Sequence, residues 1–153
     1  MIEERLKDRG IALPDPASPS FNYVPVSVHG GFAYVSGQLP KVDGDVRVRG
    51  KVGAAVSLET ARGEARLCVL QALACLRQAL GSLDRIELIL KVNGYVASAA
   101  GFNDQAKVLD AASDLLVEIF GEAGRHARAA VGVAELPRDA AVEIEMVVAC
   151  RQH

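Results

Sequence analysis

The sequence predicts an α+β fold in which a single mixed β-sheet has two helices packed on one face. Two long segments, residues 57–80 and 102–120, place apolar residues at the three-to-four spacing of amphipathic helices. Five shorter segments have the apolar composition that is typical of strands. These segments follow one another in the order β-β-α-β-α-β-β after a short leading helix, and this order suits an α+β domain.

The N-terminal part of the chain predicts a helix, a lead-in and a pair of strands. Residues 2–9 form an amphipathic pattern that stops at Gly10, and the Pro-rich residues 11–22 predict an extended lead-in. Two strands, Val24–Val28 and Phe32–Ser36, flank a Gly-Gly turn. The chain shows no repeat or linker, so we predict one domain over residues 1–153, with the helix and lead-in occupying residues 1–20.

The rest of the chain predicts two long helices and three strands. Ser57 is a suitable N-cap for the first helix, and Gly81 and Gly121 are suitable terminators of the two helices. A tight Asp-Gly turn lies within residues 41–46. The predicted bounds are 58–80 and Phe102–Phe120 for the helices, and Ile86–Val96, Ala127–Ala134 and Val142–Ala149 for the strands.

The balance between helices and strands predicts an oligomer. Two helices cover only one face of such a sheet, yet the last two strands are apolar on both faces. An uncovered apolar sheet face requires a partner, and a homo-oligomer is the simplest one.

Composition excludes several classes of protein. The chain has 153 residues, of which 50% are hydrophobic and 24% are charged, and its net charge is -2. Because no cluster of Lys or Arg occurs, binding of nucleic acid through a basic patch is disfavoured. The first nine residues are too charged for a signal peptide, and no apolar run reaches the length of a membrane span, so we expect a cytoplasmic protein.

The cysteines and histidines predict no metal site. Cys68 and Cys75 lie seven residues apart on one predicted helix, about 10 Å along its axis, which is too far for a disulfide. Together with Cys150 they are expected to be small buried apolar groups. The three histidines are scattered and show no zinc-ligand spacing, so we expect no metal and no other cofactor.

Arg128 is the first candidate for chemistry. It shares a strand face with Ala130 and Gly132, whose side chains are small, so space beside the guanidinium could admit a carboxylate. A structural arginine in a salt bridge is the alternative. Arg125, in the preceding loop, is expected to be a solvated surface charge.

Glu143 is the second candidate. It shares a strand face with Glu145, and a hairpin around residues 136–139 would place it across from Arg128. The carboxylate could then pair with the arginine, hold a water molecule beside a ligand, or belong to a solvated strand edge.

The pair Ser36-Gly37 and the aromatic Tyr23 complete the candidate site. A serine and a glycine at a strand end leave backbone amides accessible to a ligand, although a β-bulge would explain them as well. Tyr23 begins a strand, where an aromatic residue belongs to the core more often than to a site.

These residues stand in the order of a known family. The run Val35-Ser36-Gly37-Gln38-Leu39-Pro40 and the pattern from Arg128 through Leu136-Pro137 to Val142-Glu143-Ile144-Glu145 resemble the Rid family of reactive-intermediate deaminases. This family is also called the YjgF or endoribonuclease L-PSP family. The resemblance covers roughly residues 20 to 150, and the leading helix is similar to that of a longer subgroup.

The resemblance implies a chorismate-mutase-like fold, a homotrimer and active sites in clefts between subunits. It implies hydrolysis of 2-imino or 2-enamino acids to 2-oxo acids and ammonia, with no metal or organic cofactor. Arg128 would bind the substrate carboxylate, Glu143 would position the attacking water, Tyr23 would line the pocket, and Ser36 and Gly37 would make polar contacts.

The chain also departs from the family pattern. Ala130 stands where many members have a cysteine, so no thiol chemistry is expected there. Phe21-Asn22 replaces a frequent Gly-Pro, and Asp110 aligns only loosely with a frequent asparagine, whose role we do not transfer. The alternatives left open are a non-catalytic trimer that binds small carboxylates, a ribonuclease and, by fold analogy alone, a chorismate mutase.

Overall fold

The computed structural model describes residues 1–16, 18 and 21–152, so the predicted lead-in is described only in part. Its three α-helices are α1 (Ile2–Asp8), α2 (Leu58–Leu80) and α3 (Gln105–Phe120). The Ser57 hydroxyl accepts a hydrogen bond from the Thr60 amide at 3.1 Å, and Gly81 ends α2 with φ of 83°. Both predicted signals are therefore confirmed. Helix α3 begins three residues later than predicted, because Phe102 closes a turn onto the Ala99 carbonyl at 3.1 Å.

Seven strands form one large sheet and one small ribbon. The strands are β1 (Val26–His29), β2 (Phe32–Gln38), β3 (Lys41–Val42), β4 (Asp45–Val46), β5 (Ile86–Ala97), β6 (Ala127–Val133) and β7 (Val142–Cys150). The large sheet has the order β1-β2-β7-β5-β6, and β3 pairs only with β4. Because β5 and β6 are parallel while the other pairs are antiparallel, the sheet is mixed, and the predicted fold class is confirmed.

The predicted hairpin between the last two strands is wrong. Strand β7 lies between β2 and β5, and β6 forms the edge of the sheet beside β5. The physical reason is the connection through α3, because a crossover helix returns the chain parallel to the strand that it left. Strand β6 therefore pairs with one edge of β5. The chain continues through residues 134–141, and β7 then pairs with the other edge of β5.

The hydrophobic core lies between the sheet and the helices α2 and α3. Along β7, Val142, Ile144, Met146 and Val148 alternate into this core and are at most 2% exposed. At Gly94 of β5 a Cβ atom would overlap the side chain of Leu109 of α3, so the glycine lets this helix pack close to the sheet. Both long helices therefore cover the same face.

The other face of the sheet is open and only partly apolar. Phe32, Tyr34 and Val131 lie on it with 43%, 54% and 45% of their surface exposed. Glu143 and Glu145 of β7 point to the same face, because they alternate with the buried residues of that strand. An open face with exposed aromatic rings agrees with the predicted need for a partner, and the homo-oligomer stays a prediction.

Helix α1 is tied to the far end of the core by polar contacts. The Asp84 carboxylate accepts a hydrogen bond from the Ile2 amide at 2.6 Å, and Glu3 pairs with Arg77 at 2.7 Å. Arg5 donates to the Ile119 carbonyl at 2.7 Å. In the described part of the lead-in, Leu13 packs against the core. None of the helices in the described part of the chain is long and apolar enough to cross a lipid bilayer.

Candidate functional site

A cleft of about 250 Å3 opens where β2 ends and β7 begins. Its walls come from the end of the lead-in, from the loop that precedes β7 and from the start of β3. The lining residues that matter for chemistry are Phe21, Tyr23, Gly37, Lys41, Arg138 and Glu143. Three of the residues predicted from the sequence, Tyr23, Gly37 and Glu143, therefore lie in one cleft.

Gly37 and Glu143 touch across a β-bulge. Val35 lies opposite Met146 and Gln38 lies opposite Ile144, so one more residue of β2 than of β7 fills this interval. A Cβ atom on residue 37 would overlap the carboxylate of Glu143. The β-bulge that the sequence allowed is therefore present, and the group that lies against the glycine backbone is the Glu143 side chain. Access of a ligand to this backbone stays a prediction.

The environment of Glu143 favours its protonated form. Burial raises the pKa of Glu143, and the neighbouring carboxylate of Glu145 raises it further. Glu145 accepts hydrogen bonds from the Tyr95 hydroxyl at 2.5 Å and from the Asn93 side chain at 3.3 Å, and these donors stabilise its charge. The hydrogen bond to Glu145 is the main reason why the pKa of Tyr95 rises to about 12. Glu143 is therefore the member of the pair whose proton is held more tightly than usual.

Tyr23 and Ser36 differ in how they meet the cleft. Tyr23 lines it with 58% of its surface exposed. The Ser36 hydroxyl donates to the Val24 carbonyl at 2.7 Å, which fixes the chain that enters β1. Ser36 lines a neighbouring groove on the open face of the sheet, next to Asn93 and Glu145.

Arg128 does not line the cleft that contains Glu143. It pairs with Asp110 of α3 at 2.9 Å, donates to the Ser113 hydroxyl at 3.1 Å and is 23% exposed. An open cavity of about 300 Å3 does lie beside the Arg128 side chain, lined by Ser113, Val117, Arg125 and His126. Gly132 does not contribute to it, because a Cβ there would meet the Gln105 side chain at 2.8 Å. Within one chain Arg128 is therefore paired in a salt bridge, which was the alternative interpretation of its sequence position.

Arg128 and Glu143 lie on opposite faces of the sheet. Arg128 is opposite Val92 of β5, which is fully buried on the helix side. Glu143 is opposite Tyr95 of β5, whose side chain reaches Glu145 on the open face. Since residues paired across a ladder share a face, one chain does not bring the two predicted catalytic groups together.

Two cations in the cleft were not predicted from the sequence. Lys41 follows the Leu-Pro pair that leaves β2, and Arg138 lies in the short helical turn Pro137–Asp139. Arg138 and Asp139 both have φ of 57°, which is unusual for residues with a side chain. Nothing in the sequence distinguishes these two cations from the other Lys and Arg residues, of which the chain has 17 in all.

The cysteines are buried, and their surroundings do not suit metal binding or redox chemistry. Burial raises the pKa of Cys68, and the nearby Glu64 and Glu143 raise it further, so its thiol is held protonated. Cys75 and Cys150 are buried as predicted. Within residues 1–16, 18 and 21–152, no three His, Cys, Asp or Glu side chains converge as a metal site would require.

Comparisons with known proteins agree on one family. A family model described as "YjgF/chorismate mutase-like, putative endoribonuclease" matches residues 3–147. Protein TCP17 of Trypanosoma cruzi is 43% identical over 96% of this chain and 92% of its own length.

Two crystal structures extend this similarity to the fold. Protein Atu1372 of Agrobacterium tumefaciens, of unknown function, is 45% identical with a TM-score of 0.88 and covers 97% of this chain and 91% of that one. TdcF of Escherichia coli, crystallised with bound serine, is 25% identical with a TM-score of 0.63 and covers 92% and 94% of the two chains.

Proposed function

The chain belongs to the YjgF/chorismate mutase-like family, and from this membership we propose that it hydrolyses 2-imino or 2-enamino acids to 2-oxo acids and ammonia. The observation that supports this most directly is the cleft in which the Glu143 carboxyl lies against the backbone of Gly37. A half-buried carboxyl with a raised pKa, facing a small cavity, suits the transfer of a proton to and from water.

The complete site is proposed to lie between two copies of the chain in a homotrimer. One copy supplies Glu143, Gly37 and Tyr23, and a neighbouring copy supplies Arg128. The opposite placement of Arg128 and Glu143 within one chain supports this, as does the position of β6 at the free edge of the sheet. A heterologous interface repeated around a three-fold axis would form three equal sites.

In this arrangement Arg128 binds the carboxylate of the substrate through two parallel hydrogen bonds, as guanidinium groups do. Asp110, which pairs with Arg128 at 2.9 Å, keeps the guanidinium oriented before the substrate arrives. The anchored substrate then places its C2 carbon near the Glu143 carboxylate, and this positioning supplies much of the rate enhancement.

The chemical step requires only water and Glu143. An iminium carbon is already electrophilic, so the oxygen of a water molecule bonds to C2 while Glu143 accepts one of the water protons. Glu143 returns this proton to the nitrogen of the resulting carbinolamine. The C–N bond then breaks, its electrons leave with ammonia, and the hydroxyl loses its proton to become the 2-oxo group.

The experiment that tests both the reaction and the shared site is complementation between two inactive variants. Arg128→Ala and Glu143→Gln are each expected to lose release of 2-oxo acid from imines formed in situ. When equal amounts are unfolded and refolded together, about one quarter of the interfaces combine an intact Arg128 with an intact Glu143. Recovery toward one quarter of the wild-type rate supports the proposal, and no recovery contradicts a site shared between copies.

A non-catalytic binder of small carboxylates is the second candidate. The serine bound to TdcF favours it, because serine has the carboxylate of an amino acid and is not an imine. Such a binder would need Arg128 and would be indifferent to Glu143→Gln. Turnover by the wild-type protein, which a binder lacks, that is lost in Glu143→Gln while binding persists therefore favours the deaminase.

A further inference from the structure

The cleft of Glu143 contains two positive charges that the proposed reaction does not use. Lys41 lies at the start of β3 and Arg138 lies in the loop before β7, and both line this cleft. Among the residues that the structure describes, neither side chain forms an ion pair. The Arg138 guanidinium donates a hydrogen bond to the Gly44 carbonyl at 3.2 Å.

Two acids lie in the cavity that adjoins Lys41, and neither forms an ion pair with it among the described residues. Asp15 and Asp43 share an adjoining cavity with Lys41. The Asp43 carboxylate lies 2.8 Å from the guanidinium of Arg47, so its charge is already balanced. Glu143 is the one acid that lines the cleft itself, and burial raises the pKa of its carboxyl, which weakens it as a counter-ion. The cleft is therefore electropositive on the side of Lys41 and Arg138.

The backbone around Arg138 is held in an unfavourable conformation. Arg138 and Asp139 both adopt φ of 57°, in the left-handed region that residues with a Cβ rarely occupy. Two contacts from one neighbouring segment fix it, since the Arg49 guanidinium donates to the Arg138 carbonyl at 2.7 Å and the Gly50 amide donates to the Asp139 carbonyl at 2.9 Å. Strain that the surrounding structure maintains is typical of positions with a function.

We propose that Lys41 and Arg138 form a subsite for a second carboxylate, so that the preferred substrates are 2-imino acids with a carboxylate on the side chain. The inference rests on the proposed function of this cleft. The carboxylate next to the imine would bind Arg128 of the neighbouring copy, and the side-chain carboxylate would bind the two cations. Phe21 and Tyr23, exposed by 79% and 58%, would contact the carbon chain between them.

Equilibrium binding of stable product analogues tests the subsite without turnover. Titration calorimetry compares 2-oxoglutarate with 2-oxopentanoate, which has the same number of carbons and lacks the second carboxylate. We expect the wild-type protein to bind 2-oxoglutarate about tenfold more tightly, as one additional charge-assisted contact provides. Lys41→Met and Arg138→Gln are each expected to reduce this ratio by about fivefold to tenfold.

Matched variants control for the general loss of positive charge. Lys51→Met removes a lysine that pairs with Glu135 at 3.1 Å, and Arg9→Gln removes an arginine that pairs with Glu118 at 3.2 Å. Neither residue lines the cleft. Both controls should keep the binding ratio of the wild type, and Lys41→Arg should restore it.

Two results would overturn the subsite. If the wild-type protein binds 2-oxoglutarate and 2-oxopentanoate with the same affinity, the second carboxylate is not recognised. If Lys41→Met and Arg138→Gln lose affinity for both ligands equally, these cations bind the carboxylate next to the 2-oxo group instead.

A turnover measurement separates this proposal from the proposed function. Imines are generated in situ by an amino acid oxidase from glutamate and from norvaline, and the release of 2-oxo acid is followed above the spontaneous rate. Acceleration of both imines to the same extent supports deamination and contradicts the subsite. Preferential binding of 2-oxoglutarate without acceleration of either imine supports the subsite and contradicts deamination.

Discussion

The carboxylate of Glu143 occupies the volume that a side chain on residue 37 would fill. The contact joins a bulge of β2 to the start of β7, and it decides where the carboxylate can lie in the cleft. Because the overlapping atoms belong to the flexible end of Glu143, a methyl group on residue 37 would displace the carboxylate and leave the strands in place.

Gly37→Ala should therefore lower activity far more than stability. We expect kcat/KM for imine hydrolysis to fall by about 100-fold, while the free energy of unfolding changes by less than about 1 kcal/mol. Gly63→Ala is the matched control, because no atom lies within 4 Å of a Cβ at this position in α2. The control should keep full activity and gain about 0.5–1 kcal/mol of stability. Wild-type turnover in Gly37→Ala would show that the position of Glu143 is unimportant.

Glu145→Gln should shift the pH dependence of turnover to lower pH. Burial is the larger cause of the raised pKa of Glu143 and the charge of Glu145 is the second, so removing that charge lowers the pKa. A general base must be deprotonated, and the acidic limb of the profile of kcat/KM against pH would therefore move down. The effect requires that Glu143 be the titrating group, so an unchanged limb would contradict its role as the base.

The sequence predicted the two long helices, the strands of the large sheet and the possible bulge at Gly37 because these depend on neighbouring residues. The alternation of apolar residues places Glu143 and Glu145 on one face, and the pair Ser36-Gly37 marks a strand end with an exposed backbone. These are local patterns, and the structure contains them within a few residues of the predicted positions.

The separation of Arg128 from Glu143 could not be predicted in the same way. Alternation indicates which residues share a face along a strand, and it does not report which strand lies beside which. The order β7-β5-β6 results from the crossover through α3, a relationship between distant segments. Lys41 and Arg138 were not predicted for the same reason. They lie 97 positions apart in the sequence, and only folding brings them into one cleft.

Glu64→Gln should stabilise the protein. Glu64 is 7% exposed, and its Oε2 atom has no hydrogen-bond partner in the described part of the chain. Burial raises its pKa, so the folded state binds this proton more tightly than the unfolded chain. The free energy of unfolding therefore falls as the pH rises from the pKa of Glu64 in the unfolded chain to its pKa in the folded protein. The glutamine variant has no such carboxyl and keeps this stability.

We expect a gain of about 1 kcal/mol for Glu64→Gln at pH 8, with a smaller gain at pH 5, in thermal unfolding. Glu59→Gln is the control, because its side chain on the same helix is 86% exposed and its nearest cation, Arg62, is 4.0 Å away. This control should change stability by less than about 0.5 kcal/mol. A destabilised Glu64→Gln protein at pH 8 would indicate that the ionised carboxylate has a stabilising partner.

Glu143→Gln should abolish turnover and keep the affinity for 2-oxo acids within about threefold of the wild type. The amide has nearly the same shape as the carboxylate, so the cleft is preserved, and it cannot accept a proton from water. Burial raises the pKa of Glu143, which means that the charged form is disfavoured in the folded protein, so the variant should also be slightly more stable at neutral pH. Retained turnover would contradict the role of Glu143 as the base, and absence of turnover in the wild-type protein would favour the binding protein.

Arg128→Ala should abolish both binding and turnover without unfolding the protein. Its intrachain salt bridge with Asp110 joins side chains that are 23% and 53% exposed, so breaking it should cost at most about 1 kcal/mol. Loss of the substrate carboxylate contact costs about 2–5 kcal/mol, which lowers kcat/KM by at least 30-fold.

Arg125→Ala is the matched control for Arg128→Ala. Arg125 lies three residues earlier, is 70% exposed and pairs only with Glu122, at 3.1 Å. It should keep the activity and the melting temperature of the wild type, because an exposed pair of this kind contributes little. Arg128→Lys retains the charge and loses the two-point geometry, so it should recover part of the binding and little of the turnover. Equal losses in Arg125→Ala and Arg128→Ala would mean that only the general positive charge near the start of β6 matters, and the assignment of Arg128 as the anchor would fail.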